Sequence, residues 1–415
     1  MSKTKLRIAI TGTTGLIGRN LLFEVIKQNL HNLGDLEILV LGRSSGSLSI
    51  KQRILSIIQD DGLEYISSIK EVRDLVIQYC DDRIVGIDID LEKEGLALSP
   101  EGLKILRRSP INVVFHNAAL TDLRSTPGIT EALKRANIFG TRQLLKLLSD
   151  INNVGEFCYV GTSYSCGNGG GAIRPDFVDI KHEFRNSYEA TKLESEVQVR
   201  NFARNTKTRC RYFRPSVTCG RLIEQPLGAV CKFDVFYGWA AFFYQLKLKQ
   251  LNGDSARYSD PMNIDLRLFY NPNSGLNIVP ADYVAKAMYE IYAQSDPGES
   301  YHLVNNAETP HGLYIPLMLK SLNITGPRLA DRIPEDMNKF ERYYYKTAGK
   351  VFTPYITSKP MIFDVSNLSG VLTKAKLRCP PVDEKNFNIL MSYAKEKNFG
   401  VVPARQDSNI EKVNV

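Results

Sequence analysis

The stretch Leu6–Asn20 reads LRIAITGTTGLIGRN, and its reading decides the fold. Arg7 to Ile10 leans toward apolar and β-branched residues, the pattern of a buried strand. Gly12, Gly15 and Gly18 follow at three-residue intervals, and Leu16, Ile17, Leu21, Leu22, Val25 and Ile26 continue at helical spacing. Strand, glycine turn and helix in that order form the setting of a nucleotide-binding loop. Gly12 permits the sharp turn, Gly15 lets a pyrophosphate approach bare backbone, and Gly18 lets the helix lie close on the strand. The helix N-terminus offers free amides and a positive dipole end to that pyrophosphate. Thr14, Leu16 and Ile17 complete the predicted cofactor loop.

Composition bounds what surrounds this unit. The chain has 415 residues, room for one large or two ordinary domains. Its 43% hydrophobic and 24% charged content is that of a globular protein. No run approaches the roughly 18 apolar residues of a spanning helix, which leaves only peripheral membrane contact open. The N-terminus passes straight into the first strand, so no cleavable signal is expected. Seven cysteines without a CxxC pair point to reduced thiols and a cytoplasmic location. The five scattered histidines predict no metal site. The net charge of +8 is modest, and the basic stretch Arg200–Arg214 lacks the stacking aromatics of a nucleic-acid platform. That stretch is expected to be a solvated helix end, the alternative being a face for an anionic partner.

The first two-thirds of the chain alternates strand and helix patterns, which predicts a doubly wound α/β (Rossmann) parallel sheet with helices on both faces. Strands are expected at Glu37–Leu41, Ile84–Ile87, Val113–Phe115, Phe157–Val160 and Arg211–Phe213, and helices at Ala132–Leu148 and Ser187–Phe202. From Gln225 the pattern breaks into an aromatic-rich helix, Phe233–Leu248, and a polar loop. The chain is expected to rejoin the sheet through Leu276–Ala281, with another strand at Ser300–Val304. Beyond Asn305 come the aromatic run Phe340–Tyr345, a turn-rich Pro354–Pro360, and a helix near Glu384–Lys397. The division that results is a cofactor domain at 1–224, a substrate-lobe insertion at 225–275, a return to the sheet at 276–305, a smaller, mostly helical C-terminal substrate lobe at 306–404, and a frayed tail at 405–415.

Chemistry gathers at the carboxyl ends of these strands, the edge where such sheets bind ligands. After strand two an NAD enzyme places an acid to bond the ribose hydroxyls, but this chain has Arg43-Ser44-Ser45 there. A guanidinium flanked by hydroxyls suits a 2′-phosphate, which favours NADPH over NADH. Asp90 and Leu91 follow strand three, where an acid can accept from the adenine amine; Asn117, Ala118 and Ala119 follow strand four, where small residues admit the cofactor ribose. Tyr188 and Lys192 share a helix face. The lysine charge is expected to lower the phenol pKa, so that the tyrosine exchanges a proton with a carbonyl while Lys192 holds the nicotinamide ribose. Thr162, with Ser163 in reserve, supplies a hydroxyl to orient that carbonyl. A second Tyr-x-x-x-Lys, Tyr393 to Lys397, is read as a solvated helix face.

TGTTGLIG, HNAAL at His116–Leu120, GTS at Gly161–Ser163 and YEATK at Tyr188–Lys192 resemble, in order, the extended short-chain dehydrogenase/reductase superfamily. Asn137–Thr141, Phe213–Ser216, Ile278–Val284 and Tyr301–Val304 resemble its thioester reductase and fatty acyl-CoA reductase branch, also described as male sterility protein-like. The resemblance implies NADPH-dependent reduction of an acyl thioester, on coenzyme A or an acyl carrier protein, to an aldehyde or onward to an alcohol. It places the catalytic roles on Thr162, Tyr188 and Lys192. The branch more often has Ser-Thr where this chain has Gly161-Thr162. Reduction of a ketone, sugar nucleotide or sterol is the alternative within the same chemistry. A non-catalytic NADP-binding sensor is the alternative outside it, although such a protein is free to lose the tyrosine or lysine that this chain keeps.

Other residues carry competing readings. His116 ends a buried strand and is expected to be a core residue, and His182 to face solvent from a loop. Cys158 and Cys166 flank Thr162, but no histidine base stands at motif spacing from either. The aromatics of Tyr237–Tyr244 are expected to form core or subunit interface, the alternative being one wall of an acyl tunnel. Gly167–Gly171 is read as a mobile lip over the site.

Overall fold

The central strand β1 (Leu6–Thr11) is buried along almost its whole length, which is what a strand covered by helices on both faces requires. The computed structural model describes residues 6–181, 183–251 and 259–401. The predicted strands appear as β2 (Leu36–Gly42), β3 (Ile84–Asp88), β4 (Ile111–His116), β5 (Val154–Val160), β6 (Arg209–Pro215) and β7 (Ser300–Leu303). They form one parallel sheet in the order β7-β6-β5-β4-β1-β2-β3. The order reverses between β1 and β4, so a crevice opens above their carboxyl ends. Arg7 is charged yet 1% exposed in the middle of the sheet; its Nε lies 2.6 Å from Glu37 Oε2 and its Nη1 donates to the Ser109 carbonyl at 2.6 Å.

Helix α1 (Leu16–Gln28) packs Leu21, Leu22, Val25 and Ile26 into a core shared with Val284, Ala287, Met288 and Ile291 of a later helix. The opposite face of the sheet is covered by α2 (Gly140–Ile151) and α3 (Ser187–Asn205). A third core gathers the aromatics of α4 (Phe236–Gln250) with residues from the C-terminal third. The later helices that matter below are α5 (Ala281–Ala293), α6 (Ala348–Ile356) and α7 (Glu384–Glu396).

Several expectations are corrected. The helix predicted over Ala132–Leu148 is interrupted by a π-helical turn, Lys134–Phe139, before α2 begins. The widened turn turns Asn137 to other work: its Oδ1 accepts from Leu120 N at 2.8 Å, its Nδ2 donates to Thr191 Oγ1 at 3.2 Å, and its carbonyl accepts from Ser195 Oγ at 3.0 Å. Leu276–Ala281 does not rejoin the main sheet; Ile278–Pro280 instead pairs with Val217–Cys219 just beyond the end of β6. The aromatic helix starts at Phe236 rather than Phe233, because Val235 adopts φ 51°, ψ −121° and breaks helical geometry. Pro354 lies inside α6, not in a turn. Of the glycine-rich segment Gly167–Gly171, the last residue begins a short strand, Gly171–Ile173, that pairs with Met361–Phe363. The basic stretch Arg200–Arg214 is a solvated helix end only in its middle, where Arg204, Asn205 and Lys207 are exposed. Within it Arg211 pairs with Glu156 at 2.6 Å, and both Arg200 and Arg214 reach Glu196 at 2.7 Å. His182, most of the polar loop after α4, and the predicted tail lie outside the described residues. Among the described residues no helix is long and apolar enough to cross a membrane, and no metal-binding cluster occurs.

Candidate active site

At the end of β1 the chain must turn sharply to enter α1, and Gly12 does so at φ +73°. A Cβ at Gly12 would lie 2.6 Å from Ala118 N, so the turn also brings β1 and the loop after β4 into backbone contact. Gly15 is the N-cap of α1 and supplies no side-chain cap, which leaves the first helical amides to a ligand. Thr11 Oγ1 ties the two loops together: it accepts from Ala118 N at 3.1 Å and bonds His116 Nδ1 at 2.8 Å. The other ring nitrogen of His116 meets Thr141 Oγ1 at 3.1 Å, and burial pushes its pKa down to about 3. His116 is therefore a neutral, hydrogen-bonded core residue, as expected.

These loops form one side of a cleft of about 620 Å³ above the sheet's carboxyl edge. Every residue assigned from the sequence to cofactor binding or catalysis lines it: Gly12, Thr14, Gly15, Leu16, Ile17, Gly18, then Arg43, Asp90, Leu91, Asn117, Ala118, Ala119, and Thr162, Tyr188 and Lys192. Ser163 does not line it; this residue is fully buried. The cleft passes a fit test for a dinucleotide on its own features. Gly12 and Gly18 let β1, α1 and the loop after β4 meet backbone to backbone, which sets the uncapped start of α1 at the cleft, and both amide atoms of Asn117 are buried without a partner.

Arg43 stands at the cleft rim, its side chain 63% exposed. Its guanidinium lies 3.3 Å from Glu92 and 4.0 Å from Asp90, so the acid and base predicted separately from two strand ends are neighbours. Arg53 joins them, donating to the Arg43 carbonyl.

At the other end of the cleft, Thr162 Oγ1 accepts from Tyr164 N at 3.3 Å and starts a short 3-10 turn. Tyr188 and Lys192 project from the first turns of α3, which Asn186 caps through a 3.1 Å bond from Glu189 N. Lys192 Nζ donates to the Val160 carbonyl at 2.7 Å and lies 4.6 Å from the Tyr159 ring centre. Burial pushes the Lys192 pKa down to about 7, against the opposing pull of Glu196. The expected lowering of the Tyr188 pKa is not found. Burial drives that phenol upward, and the carboxylates of Asp234 and Glu189 add to the rise. Burial is the largest cause, and the Lys192 ammonium, which donates to the Val160 carbonyl, does not offset it.

Cys158 and Cys166 are not nucleophiles in this setting. Burial holds Cys158 far above its usual pKa, with Glu156 beside it, and raises Cys166 to about 11. Tyr393 packs against Gly228, where the two elements come close enough that a glycine Cβ would lie 2.7 Å from the Tyr393 Cβ; the second Tyr-x-x-x-Lys is thus partly packed rather than solvated. The aromatic face of α4 is spent on packing, with Trp239 stacked on Phe352 and Phe243 on Tyr344, as the core reading expects.

Four further residues of the cleft carry no motif by which sequence reasoning could have found them. Lys232 and Asp234 pair at 2.6 Å, and Lys232 Nζ donates to the Thr121 carbonyl across the cleft at 3.2 Å. Tyr164 and Tyr355 bring two more phenol rings to the cleft wall.

Comparison with known proteins is consistent with this architecture. Residues 10–288 match the family described as Male sterility protein. Mouse fatty acyl-CoA reductase 1 is 24% identical over 455 residues, covering 92% of this chain and 80% of its own length. The terminal R domain from the myxalamid PKS-NRPS biosynthetic pathway superposes with a TM-score of 0.69 at 20% identity, covering 96% of this chain and 93% of that one. A UDP-glucuronic acid 4-epimerase mutant from Bacillus cereus, in complex with NAD and a fluorinated substrate analogue, superposes with a TM-score of 0.56 at 16% identity over 94% of this chain and 99% of its own.

Proposed function

We propose that this chain, which belongs to the male sterility protein family and is an oxidoreductase of the extended short-chain dehydrogenase/reductase type, reduces acyl thioesters with NADPH. The observation that carries the reading is the cleft itself. One surface runs from the glycine cradle through Arg43 and Asp90 to Thr162, Tyr188 and Lys192, and joins a phosphate-binding helix end to a proton-transfer group.

Bound NADPH supplies the hydride. The amides at the start of α1 hold the pyrophosphate, Arg43 and Arg53 the 2′-phosphate, and Asp90 the adenine. Asn117, which lines the cleft with both amide atoms unpartnered, is assigned to the ribose. Thr162 orients the acyl carbonyl, and Tyr188 delivers a proton to its oxygen as negative charge develops there. A phenol held protonated by burial suits that direction of transfer. Two electrons and one proton added to a thioester carbonyl, with a second proton for the departing sulfur, give an aldehyde and a thiol. The substrate is proposed to be an acyl-CoA or an acyl group on a carrier protein.

Consumption of NADPH with long-chain acyl-CoA, and none with ketones or sugar nucleotides, is the expected result of a substrate screen. The reverse pattern would sink the acyl thioester reading in favour of the chemistry of the epimerase-like neighbours.

Two further outcomes test the cofactor end. Arg43→Ala is expected to weaken NADPH by about tenfold and NADH by less than about threefold, as loss of one charge-assisted contact to phosphate implies. Equal losses in fluorescence titrations with the two cofactors would remove Arg43 from the 2′-phosphate. Lys192 is charged below about pH 7 and neutral above it. Cofactor affinity is therefore expected to weaken as pH rises through about 7, and Lys192→Met to flatten that dependence. A wild-type affinity that is constant from pH 6 to 9 would refute the ribose-holding role (the pH range spans about one unit below and two above the shifted pKa).

A further inference from the structure

We infer that Tyr355, delivered by α6 from the C-terminal region, is a positioning residue that fixes the start of α3 and thereby the Tyr188 phenol; this rests on Tyr188 being the proton donor. Tyr355 Oη donates to Glu189 Oε1 at 2.8 Å and accepts from Asn186 Nδ2 at 2.6 Å, reaching back 166 residues to Glu189. Asn186 and Glu189 bracket Tyr188 on the first turn of α3. The same two residues close the cap, Glu189 N donating to Asn186 Oδ1. One hydroxyl thus grips both halves of the cap that aims the phenol.

The grip is buried and charged. Asn186 is 8% exposed, Glu189 0% and Tyr355 6%. Arg185 pairs with Glu189 at 3.2 Å, and its guanidinium lies 5.2 Å from the Tyr355 ring centre and 5.6 Å from that of Tyr164. Tyr164 meets Tyr355 edge to face at 5.8 Å, and its backbone amide is the one that bonds Thr162 Oγ1. Tyr355 therefore touches directly the residues that hold both Thr162 and Tyr188. Removal of its hydroxyl takes a donor from a buried carboxylate that stands beside the phenol. The cap is then held from one side only.

The test uses the full chain and two variants, Tyr355→Phe, which keeps the ring, and Asn186→Ser, which keeps a capping oxygen but withdraws the amide donor. Tyr355→Phe is expected to lower kcat by about 10²-fold with KM for acyl-CoA and the NADPH dissociation constant within about twofold, the signature of a misplaced reacting group. Without substrate, the amides of Glu189 and Ala190 are expected to exchange hydrogen about tenfold faster in both variants, while those of α2 keep the parental rate. A variant with parental kcat and a lowered melting temperature overturns the proposal, because a purely structural role would do that. So does unchanged exchange at Glu189 and Ala190. Should Tyr355→Phe fail to fold, Asn186→Ser decides by the same two readouts. If the parent reduces no acyl thioester, the functional reading fails, and the exchange comparison still judges the positioning role.

Discussion

Tyr188→Phe is expected to lower kcat by a factor of about 10²–10⁴, the usual worth of a positioned general acid, with NADPH affinity within about twofold of the parent. The substitution removes a single oxygen from a ring that lines the cleft wall, and α3 retains its Asn186 cap and the buried Lys192. Cofactor contacts assigned to the glycine loop, Arg43 and Asp90 lie at the other end of the same cleft and are not altered. Burial and the carboxylates of Asp234 and Glu189 keep the phenol protonated at neutral pH, the state that the proposed role requires. Single-turnover reduction with saturating NADPH isolates this step from product release. A variant that turns over as fast as the parent would remove Tyr188 from the chemistry and leave the cleft as a cofactor site with another proton donor, Tyr164 or Tyr355 being the phenols at hand.

The parts of this site legible in the sequence are those that depend on local backbone geometry or helical spacing. Gly12 and Gly18 announce a turn and a close approach that no other residue tolerates, and Tyr188 and Lys192 share a face by virtue of being four residues apart. Residues that act through long-range partners were not legible. Arg211 and Arg214 look like a solvated basic run until the fold brings Glu156 and Glu196 beside them. Asn137 widens its helix because Leu120 and Thr191 offer bonds that an unbroken helix would forgo. The sign of the Tyr188 shift was lost for the same reason: the lysine is near in sequence, but the burial of the phenol, the largest cause, and the nearness of Asp234 come only with the tertiary fold. Tyr355 enters from a helix that carries an internal proline and reads as a turn. Fold and cofactor class follow from the first 224 residues, whereas the surroundings of the reacting end are completed by chain that carries no motif.

Gly18→Ala is expected to abolish tight cofactor binding, and it tests the loop with which the sequence begins. A Cβ at position 18 would lie 2.2 Å from the Gly12 carbonyl oxygen and 2.7 Å from its carbon, both backbone atoms. The Gly12 turn cannot recede. Its oxygen accepts from Gly15 N at 3.0 Å, and its Cα already faces the Ala118 backbone so closely that a methyl there would clash. The strain must therefore lift the first turn of α1, while Leu21, Leu22, Val25 and Ile26 anchor the rest of the helix in the core. Overpacking of this kind costs about 1–3 kcal/mol, a part of the 5–15 kcal/mol that holds a typical domain folded, so the chain still folds. Its helix-end amides, however, no longer converge on the pyrophosphate. A loss of about 2–3 kcal/mol in binding would appear as a 30- to 150-fold rise in the NADPH dissociation constant. Gly15→Ala is the milder comparison: φ there is −84° and a new Cβ would lie 3.3 Å from the Gly12 carbonyl oxygen, against 2.2 Å at position 18, so a smaller loss of stability is expected while the methyl intrudes on the ligand's approach. Loss of affinity in both variants with the larger destabilisation in Gly18→Ala places the pyrophosphate over Gly15 and the structural contact at Gly18. Parental affinity in Gly18→Ala would mean that the end of α1 does not hold the cofactor.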